Sequence, residues 1–172
     1  MEMEKWEGLI RSIPNFPQKG IIFRDITPLL GDGGAFRSVV SHLAKACPAK
    51  TEMVAGIEAR GFIFAAAVAN RLGVGFVPIR KTGKLPHRTE AVTYDLEYGA
   101  DTLEIHQDSL SRKKNVVLID DLLATGGTAA AACRLLEKVG GRILKAVFLI
   151  ELVNLKGREK ITACDVSTLI RF

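Results

Sequence analysis

Apolar runs of strand length recur along the chain, with enough residues between them for a helix. They occupy residues 53–57, 74–79, 116–119 and 143–152. Alanine-rich stretches of helical length lie between them at residues 65–72 and 129–139, and a Gly140-Gly141 pair provides a C-terminal stop for the second. Strands that alternate with helices are typical of a parallel sheet. The pattern therefore predicts an α/β fold, with a last strand over residues 167–172.

Two segments depart from this alternation. Residues 13–28 hold several prolines and a glycine before a short strand-like stretch, which favours a small N-terminal hood of about residues 1–30 outside the main sheet. Residues 81–107 show no sustained apolar periodicity, with short exposed strands expected at 94–98 and 102–105. Long polar loops inside compact domains are usually functional or mobile, so we predict a flexible loop over about residues 81–103. A disordered surface hairpin remains the alternative.

Length and composition favour one globular domain over residues 1–172. A chain of 172 residues with 48% hydrophobic content is long enough for one substantial core and too short for two ordinary domains.

The chain has no run of roughly eighteen apolar residues that would predict a membrane span. The start, Met1-Glu2-Met3-Glu4, lacks the features of a secretory signal, so we expect a cytoplasmic location. The three cysteines are widely spaced without a CxxC pair, which indicates neither disulfides nor zinc.

The charge balance favours an anionic partner. Lys and Arg outnumber Asp and Glu by 24 to 19, for a formal net charge of +5. Aromatic residues are only 6% of the chain and do not interleave with a basic stripe, which argues against nucleic acid. Of the two basic clusters, residues 156–160 are interpreted as a solvated helix face. The other, residues 80–88, enters the predicted flexible loop.

The most informative segment is residues 116–128, which read VVLIDDLLATGGT. An apolar run ends in Asp120 and Asp121, and a small turn then opens the second predicted helix. The turn contains two hydroxyl donors and two glycines: Thr125, Thr128, Gly126 and Gly127. Backbone N–H groups at such a turn converge on a phosphate at the helix N-terminus. The carboxylates, expected to be ionised at neutral pH, would suit ribose hydroxyls or a cation. Together these residues predict a sugar-phosphate site.

Rival nucleotide motifs fit this chain less well. A nucleoside-triphosphate P-loop needs Gly-Lys before Ser or Thr, and here Thr128 follows Gly127 directly. The nearest approach to a dinucleotide fingerprint, at residues 31–34, is followed by Phe36 where the last glycine should be. Residues 31–34 are interpreted as an ordinary turn. A buried strand with a ligand-free turn at 116–128 is the other alternative. Against it, two adjacent carboxylates at a strand end would repel each other without a partner.

A second anion site is predicted after the first strand, at Glu58-Ala59-Arg60-Gly61. The planar guanidinium of Arg60 matches phosphate oxygens, and Gly61 permits close backbone approach. Ligands gather at the carboxyl ends of parallel strands, which favours a functional turn. A plain connection with a surface arginine is the alternative. Lys81 and Lys84 at the start of the predicted loop are placed to close over a polyanion and exclude water.

Residues 116–128 resemble the phosphoribosyl pyrophosphate motif of the type I phosphoribosyltransferases. Segments spanning nearly the whole chain also resemble the adenine-specific members of that family: Phe16-Pro17, Gly20, 23–28, 59–62, 79–81, 83–86, 96–99 and 155–160. The resemblance implies a parallel-sheet phosphoribosyltransferase core with helices on both faces, a small N-terminal hood and a flexible catalytic loop. It also implies a non-proline cis peptide at Glu58–Ala59.

The resemblance implies transfer of the 5-phosphoribosyl group from phosphoribosyl pyrophosphate to adenine, which yields AMP and pyrophosphate in purine salvage. Hypoxanthine-guanine enzymes carry aspartate, and orotate enzymes usually threonine, where this chain has Ala124, so alanine favours adenine.

Mg²⁺ is expected as cofactor, bound mainly through the donor and without a direct protein ligand. A homodimer is also implied, with no nucleic acid or membrane as partner. A non-catalytic sensor of the same donor is the alternative, although such regulators usually add a DNA-binding module, for which the stretch before Phe16 has no room.

Site roles follow from the same resemblance. The donor's 5′-phosphate is assigned to Ala124, Thr125, Gly126, Gly127 and Thr128, and its ribose hydroxyls to Asp120 and Asp121. The pyrophosphate is assigned to Arg60, Arg80, Lys81 and Lys84. Adenine is assigned to Ile22 and Arg24, and proton transfer at the purine to Glu97 as general acid/base.

Overall fold

The computed structural model describes residues 2–95, 99–110 and 113–172. They group into two compact units, Met1–His42 and Leu43–Phe172, which are described separately. The prediction of one domain over residues 1–172 stays a prediction. No helix among the described residues is both long enough and apolar enough to cross a membrane.

The first unit contains a small two-stranded sheet and short helices. Its elements are α1 (Glu2–Glu7), β1 (Arg11–Pro14), β2 (Ile22–Asp25), α2 (Thr27–Gly31) and the start of α3 (Gly33–Ala46). Strands β1 and β2 are antiparallel, so the short strand predicted for the hood is confirmed. Its core is apolar, with Trp6, Ile10, Ile26, Leu29 and Val39 buried.

The interpretation of residues 31–34 as an ordinary turn is wrong, because this segment joins two helices. The Asp32 carboxylate accepts hydrogen bonds from the backbone N–H groups of Gly34 and Ala35, both at 2.9 Å. An aspartate in this position satisfies donors that the first helical turn leaves unpaired. The sequence therefore held a helix-start signal for α3 that the dinucleotide comparison passed over.

The second unit is built on a seven-stranded sheet with the strands in the order β5-β6-β4-β3-β7-β8-β9. The strands are β3 (Met53–Ile57), β4 (Gly75–Lys81), β5 (Thr89–Asp95), β6 (Ala100–His106), β7 (Lys114–Leu123), β8 (Gly141–Glu151) and β9 (Asp165–Arg171). Neighbours from β4 to β9 in that order run parallel, and β6 and β5 extend the β4 edge antiparallel. All five strands predicted for the main sheet are present, so the parallel α/β prediction is confirmed.

Helices α4 (Arg60–Leu72) and α5 (Gly127–Lys138) cover opposite faces of this sheet. A Cβ on Gly56 of β3 would press against Ala65 of α4. The next residue along the strand, Ile57, instead packs in the cluster that contains Leu135 of α5. Because successive strand side chains point to opposite faces, the two helices lie on either side of the sheet, as predicted.

Two strands longer than the short ones predicted at 94–98 and 102–105 occupy much of the predicted loop over residues 81–103. Strands β5 and β6 pair in antiparallel register from Thr89↔His106 to Asp95↔Ala100. Val92, Tyr94, Leu103 and Ile105 are buried on one face, so the strands are not the exposed ones predicted. Their apolar residues alternate at period two, which is a strand signal that the many charged neighbours obscured. Residues 96–98 lie outside the described residues, and flexibility of the loop stays a prediction.

Two short 3-10 turns, Val153–Leu155 and Gly157–Lys160, connect β8 to β9. The prediction of a solvated helix face at residues 156–160 is wrong for two of them. Gly157 is buried, and Arg158 is half-buried in an ion pair with Glu151. This connection lies against the predicted phosphate turn.

Candidate active site

The predicted sugar-phosphate motif forms one wall of a cavity of about 250 Å³. Strand β7 carries Asp120 and Asp121 near its carboxyl end, and residues 124–128, here called the phosphate loop, lead into α5. Gly126 has φ of 79°, in the left-handed region that glycine adopts without steric cost. Its carbonyl accepts the Ala130 N–H at 2.9 Å, so the loop ends as the first turn of α5 begins. Unpaired N–H groups of that first turn suit an anion.

Arg60 joins the cavity from the start of α4. Its Nη2 lies 2.7 Å from Oδ2 of Asp121, whose side chain is only 8% exposed. The two predicted anion turns, at the ends of neighbouring strands β3 and β7, therefore meet in one site. Arg60 is half-buried, and its guanidinium contacts a buried carboxylate and lines the cavity. Its role in binding an anion stays a prediction.

Burial disfavours the charged forms of both members of the acidic pair. Burial, reinforced by the charge of Asp121, raises the pKa of Asp120 well above its usual range. Burial also raises the pKa of Asp121, although the Arg60 guanidinium opposes this shift. The expectation of two ionised carboxylates took no account of burial. Hydroxyl donors or a cation at this position would relieve the repulsion between them.

Gly61 is required by packing against this pair. A Cβ at that position would collide with the Asp120 carboxylate. The group that closely approaches the Gly61 backbone is therefore the Asp120 side chain. The Glu58–Ala59 peptide just before it is cis, as the family resemblance implied.

Three of the four cationic residues predicted for pyrophosphate contact Glu58, whose side chain is 6% exposed. Arg80 Nη2 and Lys84 Nζ each lie 3.1 Å from Glu58 Oε2, and the Lys81 backbone N–H donates to Oε1 at 2.6 Å. The Lys81 ammonium pairs with Asp101 at 2.9 Å. Glu58 and Asp101 were not predicted, and they hold three cations in place before any anion binds.

The phosphate loop also contacts strand β5. Thr128 Oγ1 donates a hydrogen bond to the Tyr94 hydroxyl at 3.2 Å, and Tyr94 is buried. Tyr94 precedes Glu97 by three positions along the chain. Glu97 itself lies outside the described residues, so its catalytic role stays a prediction.

Comparison with known proteins identifies the family. The phosphoribosyl transferase domain model matches residues 29–171. An adenine phosphoribosyltransferase of Christiangramia forsetii is 51% identical over 173 aligned residues, covering all of this chain and 99% of the relative. The chain belongs to the adenine phosphoribosyltransferase family. The crystal structure of the family member from Thermoanaerobacter pseudethanolicus has a TM-score of 0.94 at 50% identity, covering 99% of both chains. The yeast member, in complex with adenine and an imino-altritol bisphosphate, has a TM-score of 0.92 at 40% identity, covering 98% of both chains.

The predicted donor residues fall into two groups in this family member. One group lines the cavity: Arg60, Asp120, Asp121, Ala124, Thr125, Gly126 and Thr128. The other surrounds Glu58: Arg80, Lys81 and Lys84. Gly127 is the first residue of α5. Ile22 and Arg24, predicted to contact adenine, lie on β2 of the first unit, where Ile22 is 52% exposed. Their role, like each of these ligand assignments, stays a prediction.

We expect Glu58 to stabilise the fold only above the pH at which it protonates. Burial tends to raise its pKa, but hydrogen bonds from Lys81, Lys84 and Arg80 outweigh burial and lower it from 4.5. A carboxyl with a lowered folded-state pKa contributes stability that is complete above the unfolded value and lost as pH falls through the folded value. The difference in free energy of unfolding between wild type and Glu58→Gln should therefore shrink as pH falls below about 4.5.

Urea unfolding of both proteins across the acidic range measures this difference. Asp120 and Asp121 have raised pKa values and shift stability in the opposite direction, but they are common to both proteins and cancel in the comparison. A difference that stays constant with pH would contradict the assigned charge on Glu58.

Proposed function

We propose that this protein transfers the 5-phosphoribosyl group of phosphoribosyl pyrophosphate to adenine, forming AMP and pyrophosphate. The observation that carries the proposal is the meeting of the phosphate loop, the acidic pair and Arg60 around one cavity. Full-length relatives about 50% identical are adenine phosphoribosyltransferases, which supports adenine as the base. Ala124 supports the same choice, in place of the aspartate of hypoxanthine-guanine enzymes.

The phosphate loop is proposed to hold the donor by its 5′-phosphate. The backbone N–H groups of Gly127 and Thr128 lie at the start of α5, where the helix dipole favours an anion. Asp120 and Asp121 then accept hydrogen bonds from the ribose hydroxyls. Binding at both ends of the sugar fixes its anomeric carbon for attack.

The cations around Glu58 are proposed to stabilise the leaving group. As the bond from the anomeric carbon to pyrophosphate breaks, negative charge grows on the departing oxygens and positive charge on the sugar. Arg80, Lys81 and Lys84 therefore stabilise the transition state more than the ground state. Because Glu58 and Asp101 already hold these cations, little ordering of long side chains remains for binding.

The acidic pair fits a Mg²⁺ ion held mainly by the donor. A dication nearby relieves the repulsion between the two carboxylates, which adds to burial in raising the pKa of Asp120. When bound, Mg²⁺ supplies positive charge that neutralises the departing pyrophosphate. No cluster of three acidic, histidine or cysteine side chains suited to a metal occurs within residues 2–95, 99–110 and 113–172.

The base half of the site rests on the family resemblance. Ile22 and Arg24 are proposed to flank adenine, and Glu97 to exchange a proton with the purine as its ring nitrogen becomes glycosylated. The segment that carries Glu97 would also exclude water from the charged sugar. A homodimer and a cytoplasmic location complete the proposal.

A product assay tests the proposal directly. Purified protein is incubated with phosphoribosyl pyrophosphate, Mg²⁺ and each of adenine, hypoxanthine, guanine and xanthine. AMP formation from adenine is the expected result. A different nucleotide in place of AMP would overturn the base assignment, and no product from any base would favour the sensor alternative.

Asp121→Asn is expected to weaken donor binding by about tenfold, the size of one lost charge-assisted hydrogen bond. The substitution removes the carboxylate assigned to the ribose and the negative charge that pairs with Arg60 at 2.7 Å. Isothermal titration with phosphoribosyl pyrophosphate and Mg²⁺ measures the affinity. Asp108→Asn, which replaces an exposed aspartate outside residues 116–128, is the matched control. Unchanged donor affinity and turnover in Asp121→Asn would remove this residue from the site.

A further inference from the structure

The connection between β8 and β9 forms part of the phosphate loop's wall. A Cβ on Gly157 would collide with the Ala124 carbonyl oxygen and lie 2.8 Å from the Gly126 nitrogen. Conversely, a Cβ on Gly126 would collide with the Gly157 carbonyl oxygen. The two backbones are therefore in direct contact, with no room for a side chain on either. Movement of Gly157 toward the phosphate loop would therefore displace that loop.

Arg158 fixes the position of Gly157. Its Nε and Nη2 donate to the two carboxylate oxygens of Glu151 at 3.0 and 2.6 Å. Its Nη1 donates to the Val166 carbonyl oxygen at 2.7 Å. This bidentate pairing is the most directional that an arginine makes. The residue after Gly157 is therefore tied to the end of β8 and to β9 simultaneously.

Glu151 is a buried carboxylate that accepts several hydrogen bonds. Its side chain is 7% exposed, and it also accepts a hydrogen bond from Thr168 at 2.9 Å. The hydrogen bond from Arg158, followed by that from Thr168, lowers its pKa despite burial. Burying an ion pair generally gives no more stability than apolar packing of the same volume, whereas it does restrict geometry. We therefore assign the pair to positioning the connection between β8 and β9 rather than to stabilising the fold.

We propose that Glu151 and Arg158 are positioning residues that hold Gly157 against the phosphate loop and so set the affinity for the donor's 5′-phosphate. Neither touches the reacting atoms. This inference rests on the proposed function, because it assigns the loop to a phosphorylated sugar. It extends the site to a second layer that the sequence motif does not contain.

Arg158→Ala and Arg171→Ala make a matched pair for the test. Both arginines pair with Glu151, but Arg171 lies 3.4 Å away, is 65% exposed and belongs to the end of β9. In Arg158→Ala we expect the KM for phosphoribosyl pyrophosphate to rise about tenfold, as is typical when a residue supporting a ligand-binding group is removed. The KM for adenine should stay within about twofold of wild type in both variants, as should the donor KM in Arg171→Ala. An equal rise in the donor KM of the two variants would overturn the proposal.

A binding measurement separates positioning from general loss of structure. Isothermal titration with ribose 5-phosphate probes the phosphate loop alone, and titration with pyrophosphate probes the cations around Glu58. Arg158→Ala should lose ribose 5-phosphate affinity by about the same factor as its donor KM while keeping pyrophosphate affinity. Equal losses for both ligands would indicate a merely structural role and overturn the inference.

Arg158→Lys keeps the charge but not the planar fork, so it covers the case in which Arg158→Ala does not fold. Its expected loss of ribose 5-phosphate affinity is smaller than that of the alanine variant and again spares pyrophosphate. An Arg158→Lys protein with wild-type ribose 5-phosphate affinity would overturn the need for a bidentate pair. Failure of the proposed function is distinguishable, because wild type would then form no AMP yet the ribose 5-phosphate titrations would still compare the variants.

Discussion

Replacing Glu97 by alanine is expected to lower the turnover number by about 100-fold to 10,000-fold, the range typical of a lost general acid/base. The physical reason is that adenine must exchange a proton as its nitrogen bonds to the anomeric carbon, and no other group is assigned to that step. Donor affinity should stay close to wild type, because the phosphates and the ribose are assigned to other residues. Steady-state kinetics measure the turnover, and isothermal titration measures donor binding.

Glu90→Ala is the matched control for this experiment. Glu90 lies on β5, which leads into the segment carrying Glu97, and its carboxylate accepts a hydrogen bond from Gln107 at 3.0 Å. Glu90 has no assigned catalytic role, so its loss should leave the turnover number within about twofold of wild type. Loss of donor binding in Glu97→Ala, with turnover preserved at saturating donor, would contradict its assignment to the base.

Gly126→Ala should be the most damaging substitution in the phosphate loop, lowering the free energy of unfolding by about 2–5 kcal/mol. Two costs combine. The left-handed φ of 79° disfavours any residue with a Cβ, and that Cβ would collide with the Gly157 carbonyl oxygen. Because the collision displaces the loop, donor affinity should fall together with stability. Urea unfolding and donor titration measure the two effects.

Gly127→Ala provides the stability control one residue away. A Cβ there would meet the Asp95 carbonyl oxygen and the Tyr94 ring at 3.5 Å, an ordinary van der Waals contact. Since Gly127 is the first residue of α5, alanine should also favour the helix, and we expect a change in unfolding free energy within about 1 kcal/mol. A Gly127→Ala protein as unstable as Gly126→Ala would show that the collision at Gly157 is not the cause.

Local pattern predicted the main sheet well and its antiparallel edge poorly. Apolar runs such as residues 116–119 contain no polar residue, and a strand buried on both faces needs no alternation to be recognised. Strands β5 and β6 have only one buried face, and polar residues such as Thr93 and Glu104 alternate with buried ones such as Val92 and Leu103. The amino-acid sequence of such a strand resembles that of a polar loop. Pairing between the two strands, and the cover that α5 provides, decides the outcome.

Local sequence patterns predicted the parallel α/β core and a sugar-phosphate site at residues 116–128, and resemblance predicted the family. These follow from residues that are neighbours in the chain, where spacing alone fixes the strand, the turn and the helix start. Only the tertiary structure decided which distant groups support them: Arg60 on Asp121, Glu58 among the cations, and Gly157 against Gly126. Each joins residues more than twenty positions apart through strand order and close packing. A local pattern carries no information about such contacts, because they exist only once the sheet has assembled.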